Sequence, residues 1–350
     1  MKNMWKKSLV SAAMAAMLVF SLMGCGSKSS DGGDSDAEGE DQELTVAGIV
    51  YQDDQFMQSL TQGYEDAAEE YGVKLLTANA NNDQAKETEL INTYVTQGVD
   101  GIAIAPIDPS TSIATLESAD EQGVKICLTN MAIDDADFIV GGFTSDDYQN
   151  AYDLGTVAAE RLKEEFGDET IKIGVLNYED TNPTQSATRE QGYFDALDDG
   201  GVKYEIVAEA TGSTVETDQQ AARDMLTANP DIQSLWACNG LGYIGAYAAI
   251  TSSNLQQVVI YGYDANDQTT DYLYDGTNLV WGEVAQDPYT MGYKAMELLI
   301  KNLQGEDTSE YAGKTTIVPG VVLTNDDFDG VNEWRESMGY PAIEENLNEQ

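Results

Sequence analysis

No histidine occurs in this chain, and cysteine is limited to Cys25, Cys127 and Cys238. A Ser-His-Asp or Cys-His mechanism is therefore excluded, as are His-bearing zinc sites; an enzyme here would have to use carboxylates, Lys or Tyr. Cys127 and Cys238 each sit inside an apolar run that reads as a buried strand, which makes them core residues rather than ligands or nucleophiles. What remains is hydrogen-bonding chemistry. Asp, Asn, Gln, Tyr and Arg collect in short stretches at 51–54, 105–109, 129–131, 178–189, 239–243, 263–267 and 286–288. Asp264-Ala265-Asn266-Asp267-Gln268 is faintly like a calcium loop, but it lacks the glycine and the distal bidentate glutamate, so neither a metal nor a cofactor is expected.

Cys25 is a separate case. Lys2, Lys6 and Lys7 form a positive start, and Leu9 to Met23 is an apolar run too short for a comfortable membrane span. The run ends Leu22-Met23-Gly24-Cys25, which resembles a bacterial lipoprotein signal: residues 1–24 would be removed and the Cys25 thiol would carry a diacylglyceryl group. An ordinary signal peptide followed by a chance cysteine is the alternative. Residues 25–43 then read as a disordered acidic tether. Gly, Ser, Asp and Glu dominate it, and Ala37 is its one aliphatic side chain, so it cannot bury enough surface to offset the entropy of ordering. Its reach as a flexible coil is roughly 25 Å. The folded part is expected outside the cytosol, anchored by lipid to the outer face of the cytoplasmic membrane.

Asp and Glu number 62 against 17 Lys and Arg, and loss of the three signal lysines would take the formal charge from −45 to −48. Such a field disfavours nucleic acid and anionic lipid and favours neutral or cationic solutes. Solubility and a surface adapted to an exposed acidic envelope explain the same number. About 300 residues follow the tether, enough for two lobes with separate cores.

The elements that must position these stretches alternate regularly. Strands are read at Leu44–Val50, Val73–Ala78, Gly101–Ala105 and Val124–Leu128, with helices at Phe56–Tyr71, Gln84–Gln97 and Pro109–Gln122 between them. A second series has helices at Asp147–Glu165, Pro183–Leu197, Thr217–Ala228 and Tyr243–Thr251, and strands at Ile171–Asn177, Tyr204–Ala208, Ser234–Cys238 and Val258–Tyr261. Phe56, Leu60, Tyr64, Ala67 and Tyr71 recur at three- and four-residue steps and give the first helix one buried face. Asn182-Pro183 and Asp287-Pro288 place a capping side chain before a proline at the first helical position. Gly72, Gly98 and Gly123 supply left-handed helix ends. Strand-helix alternation implies α/β architecture with parallel sheets, whose ligands bind beyond the carboxyl ends of the strands, where the polar stretches lie.

From about Leu44 to about Thr324 the chain resembles the ribose-type, or type I, periplasmic sugar-binding proteins of ABC importers. The motifs that carry the resemblance are Phe56-Met57-Gln58-Ser59-Leu60-Thr61-Gln62-Gly63, Ala105-Pro106-Ile107-Asp108, Thr188-Arg189-Glu190-Gln191-Gly192, Ala228-Asn229-Pro230-Asp231, Trp236-Ala237-Cys238-Asn239, Gly262-Tyr263-Asp264 and Val284-Ala285-Gln286-Asp287-Pro288. The resemblance implies two doubly wound parallel-sheet lobes joined by a three-crossover hinge. Residues 44–145 plus 287–320 would form the first lobe and 146–286 plus 321–350 the second, with crossings near Ser145, Asp287 and Gly320. It also implies ligand-binding roles for Asp54, Phe56, Asn130, Arg189, Asn239, Asp264 and Gln286. Ser213 stands where the family often has an aromatic in the cleft, and Met131 where ribose binders share an arginine, so ribose itself is put in doubt.

The same residues suit a sugar or polyol on chemical grounds. Asp54 and Asp264 can accept from adjacent hydroxyls, Asn130, Asn239 and Gln286 can both donate and accept, and Arg189 donates. Phe56, Tyr51, Tyr178 and Tyr243 are candidates for the aromatic wall. Arg189 is read in the first turn of its helix, where a cation opposes the dipole unless something uses it; pairing with Glu190 is the structural alternative. Asp264 could equally cap the helix that follows it. The expected mechanism is capture of a small neutral solute by closure of the lobes, then docking of the monomeric closed form on an ABC permease, without covalent chemistry. A sensory protein presenting the closed form to a membrane kinase or chemoreceptor remains open. The polar tail from Asn332 to Gln350 is expected to be partly disordered.

Overall fold

A computed structural model describes residues 43–133, 136–253 and 258–344. Cys25, the signal and nearly all of the tether lie outside the described residues, as do residues 345–350 of the tail.

The first series runs β1 (Thr45–Val50), α1 (Gln55–Glu70), β2 (Lys74–Asn79), α2 (Gln84–Gln97), β3 (Gly101–Ile104), α3 (Pro109–Glu121), β4 (Lys125–Thr129) and β5 (Gly141–Thr144). The second runs α4 (Asp147–Phe166), β6 (Ile171–Asn177), α5 (Pro183–Asp199), β7 (Tyr204–Thr211), α6 (Val215–Ala228), β8 (Ser234–Ala237), α7 (Gly240–Ser253), β9 (Val259–Tyr263), α8 (Asp267–Tyr272) and β10 (Val280–Ala285). The chain ends in α9 (Pro288–Leu303), β11 (Thr315–Ile317), β12 (Val321–Thr324) and α10 (Phe328–Ser337).

Two six-stranded sheets result, ordered β11-β5-β4-β3-β1-β2 and β12-β10-β9-β8-β6-β7. All pairings are parallel except β10 with β12, which is antiparallel. The chain passes from the first sheet to the second after β5, back after β10 with α9 and β11, and over again into β12. Helices cover both faces of each sheet, so β1, β3, β8, β9 and β10 are buried almost end to end, and the first four read as near-continuous apolar runs. Glycine permits the closest helix contacts. A Cβ on Gly63 of α1 would lie 2.3 Å from the Tyr289 carbonyl of α9, and one on Gly192 of α5 would lie 2.2 Å from the Tyr148 carbonyl of α4. The first lobe is thus faced by α9, which returns after β10, and the second by α4, which follows the first crossing, so each of these crossings leads into a helix packed on a lobe.

Two expectations need correction, the missing strand and the turn that holds Arg189. The strand Gly141–Thr144 went unread because its two glycines weaken the strand signal; Leu298, Tyr311 and Leu128 pack where side chains would stand. In the tail, described through Glu344, α10 packs on the second lobe with Val331 and Arg335 buried, and Ile343 beyond the helix is buried as well. The Arg335 guanidinium bonds the Asp267 carboxylate at 2.7 Å, the Asp267 carbonyl at 2.9 Å and the Pro341 carbonyl at 2.7 Å, which holds a nominally polar segment in place. Arg189 lies in the second turn of α5, beyond the dipole's reach, rather than in the first.

Candidate functional site

Superposing the two sheet orders pairs β1 with β6, β3 with β8 and β4 with β9, and their carboxyl ends meet across a cleft. Equivalent positions carry related side chains. Tyr51 follows β1 and Tyr178 follows β6, both buried against the cleft. Asp54 caps α1, accepting from the Met57 amide at 2.8 Å, and Asn182 caps α5, accepting from the Gln185 amide at 3.2 Å. Asn130 after β4 and Asp264 after β9 both adopt left-handed backbone, at φ 65° and 70°, a conformation that Asn and Asp tolerate better than most residues. Each lobe thus supplies one carboxylate and one amide at matched positions, with the two types exchanged.

Arg189 has no counterpart in the first lobe, where the same step into α1 is Thr61. Its guanidinium is 3% exposed, donates to Asp147 at 2.8 Å and to the Cys238 carbonyl at 2.9 Å, and reaches Asp264 at 3.5 Å. The ring of Tyr263 lies 3.8 Å below it and that of Tyr178 5.5 Å away. Asp147 also accepts from Gln185 at 3.0 Å and from the Tyr263 hydroxyl at 3.4 Å. Glu190, the alternative partner, faces away, pushed up to about 7 by burial and by Glu209 and Glu179. Asp264 does not cap the next helix, a role taken by Asn266; it accepts from the first amide of α7, Gly240, at 3.0 Å and from Gln286 at 2.5 Å.

The first lobe is less braced. Burial raises Asp54 to about 6; the Met57 amide opposes that rise, the Asp264 charge across the cleft adds to it, and the Gln52 amide, which also bonds the carboxylate, opposes it. The Asn130 side-chain amide donates to the Tyr51 hydroxyl at a long 3.4 Å. Between the lobes Asn182 donates to the Ile107 carbonyl at 3.4 Å and touches the Met131 sulfur at 3.0 Å.

Asp54, Phe56, Asn130, Arg189, Asn239 and Asp264 line one chamber together with Tyr51 and Tyr178, and exposed Ser213 forms part of its wall. Asn239 holds the start of α7, accepting from Gly242 at 2.9 Å. Gln286 lines an adjoining chamber instead. Tyr243 is not a wall residue: it is fully buried behind Gly262 and packs edge-on to Tyr272. Cys127 and Cys238 are buried free thiols in different sheets' cores. Asp147, Gln185 and Asn182 were missed as site residues. Asp147 follows the unread strand β5, and Asn182 was legible only as a cap. Among the described residues no cluster suits a metal ion, and no helix is long and apolar enough to cross a membrane.

The periplasmic binding protein domain family matches residues 47–307, most of the described fold. The chain belongs to this family. Among curated relatives, it is 28% identical to the ribose import binding protein RbsB of Bacillus subtilis over 72% of this chain and 78% of that one. It is 26% identical to the D-apiose import binding protein of Actinobacillus succinogenes over 65% of this chain and 71% of that one. Solved structures share the fold at lower identity. A carbohydrate transporter solute-binding protein from Agrobacterium radiobacter in complex with D-arabinose aligns with TM-score 0.74 at 21% identity, covering 84% of this chain and 98% of that one. A galactofuranose-binding protein aligns with TM-score 0.75 at 20% identity, covering 85% of this chain and all of that one. The periplasmic binding protein architecture of two α/β lobes is thus the one the sequence resemblance implied.

Proposed function

We propose that this periplasmic binding protein captures a neutral monosaccharide or polyol by closure of its lobes and delivers it to an ABC permease. The exchanged carboxylate and amide pair carries the reading. Asp54, Asp264, Asn130 and Asn182 line one chamber and Arg189 is fixed by Asp147, so acceptors and donors converge on it from both lobes. Without a ligand, two carboxylates oppose each other across the cleft; a polyol that donates to both relieves that repulsion and favours the closed state by its differential contacts. Names of the relatives point to pentoses. The hinge of the motion would lie at the crossings near Ser145, Asp287 and Gly320, and Cys25 would bear the lipid that keeps the protein at the membrane.

The test uses the Glu43–Gln350 unit, which forms its own compact body. Melting temperature is followed with D-ribose, D-apiose, D-arabinose, D-galactose, myo-inositol and amino acids, on the wild type and on Asp264→Asn, which keeps a residue able to hold φ 70°. A shift with one neutral sugar or polyol that Asp264→Asn abolishes supports the reading. A shift with amino acids alone, or one that Asp264→Asn leaves intact, refutes it. Sugar uptake lost on deletion of the protein separates import from sensing.

A further inference from the structure

The polar chamber does not end at the Asp54 and Asp264 carboxylates. Those two residues, with Phe56 and Leu241, also line a second chamber that continues toward α7, the β10 crossing and the C-terminal tail. The two chambers are thus continuous past the paired carboxylates.

The second chamber differs in chemistry. Phe56, Leu241, Ile244 and Met338 give it apolar walls, and no Lys or Arg is among its described lining residues. One acceptor is left over within it. Gln286 is 3% exposed and donates its amide to Asp264, while its buried Oε1 has no partner among the described residues, an arrangement that is costly unless a small shift brings it a donor. The outer wall is the tail: the Arg335 guanidinium bonds the Pro341 carbonyl, the Tyr340 amide donates to the Arg335 carbonyl at 2.8 Å, and the Tyr340 hydroxyl meets the Gln55 amide of α1 at 3.4 Å. A wall that is anchored on one lobe and touches the other encloses the chamber when the lobes close.

Building on the capture reading above, we propose that the ligand is a neutral glycoside of two rings. Its glycosyl unit occupies the polar chamber, and its second ring lies against Phe56, Leu241, Ile244 and Met338 while donating a hydroxyl or N–H to Gln286 Oε1. Apolar walls pack a ring face, and a single buried acceptor orients it. The second ring carries no anionic group, because it must pass Asp54 and Asp264 and meets no cation.

Calorimetric titration tests this with D-ribose and D-galactose, the nucleosides uridine and adenosine, phenyl β-D-galactoside and lactose. The nucleoside, aryl and disaccharide arms separate a base from an aglycone and from a second sugar. At least one glycoside is expected to bind tenfold or more tightly than its parent sugar. Ile244→Trp, which fills the chamber, is expected to remove that gain while leaving the parent sugar within threefold; Met338→Trp serves if the first variant melts early. Parent sugars that bind as tightly as every glycoside, or a gain that survives both fillings, overturn the second-ring site while capture stands. Binding of none of the sugars or glycosides by a wild type that binds amino acids overturns the capture reading itself.

Discussion

The two lobes share a strand order but not a way of handling buried polar groups. In the first, Glu87 is 1% exposed and fully engaged: it accepts from the Ile107 amide at 2.7 Å, from Gln84 at 2.8 Å and from the Ser112 hydroxyl, and so fixes the loop after β3. In the second, Glu283 on β10 is fully buried and neither oxygen makes a hydrogen bond of good geometry among the described residues; burial pushes it up to about 8 against the weaker opposing pull of the Thr269 and Tyr243 hydroxyls and the Arg335 charge. Asp218 is likewise unpartnered, raised by burial to about 7. The Tyr64 hydroxyl of the first lobe bonds Thr129 at 2.6 Å, whereas Tyr261 of the second has no partner. The second lobe, however, carries the one finished network of the cleft, around Arg189. It is the braced half of the site, and the first lobe is the less braced half.

The contrast can be broken most severely at Arg189. Arg189→Met leaves Asp147 and Asp264, 14% and 17% exposed, without their guanidinium and should cost about 3–5 kcal/mol of stability together with at least a hundredfold in ligand affinity. Thr61→Val at the matching step of α1 should cost less than about 1 kcal/mol. Chemical denaturation and calorimetric titration read both.

Glu283→Gln tests the unpartnered carboxylate. A raised folded-state value means that the native protein holds a proton the unfolded chain has lost, so stability falls as pH rises from the ordinary glutamate value of 4.5 through about 8. Removing the charge should stabilise the protein at pH 8 by about 1–3 kcal/mol and change little at pH 4.5. Glu87→Gln should destabilise at either pH, since it replaces an acceptor with a donor facing donors. An equal response of the two variants at pH 8 would end the distinction between the lobes.

Asp54 sharpens the comparison within the cleft. Raised to about 6, it should contribute a decline in stability between about pH 4 and pH 6, and Asp54→Asn should flatten that decline by about 1 kcal/mol in thermal melts. The smallest expected effect is in the cores. Tyr64→Phe should cost about 1 kcal/mol for its lost hydrogen bond, and Tyr261→Phe should be neutral or slightly stabilising.

Much of this molecule was legible residue by residue. Alternating apolar runs and helical faces placed β1 to β4 and α1 to α7 within a few residues, because central parallel strands are buried on both faces and read as continuous hydrophobic stretches. Asn182-Pro183 and Asp287-Pro288 marked helix starts, and Gly72, Gly98 and Gly123 adopt the left-handed ends expected of them, since these depend on neighbouring backbone alone. The missing histidines settled which chemistries are unavailable, by composition. Other features depended on partners distant in sequence. Asp147 is a site residue only because β5 delivers it beside Arg189, 42 positions on, and Gln286 faces a second chamber only because the tail returns to wall it. Tyr243 and Tyr178 look alike in the chain, yet one is sealed behind Gly262 and the other lines the cleft. Local sequence determines what a segment of backbone prefers; which side chains share a pocket, which carboxylates lose their water and which lie opposite one another are decided by long-range packing, and only the folded lobes determine them.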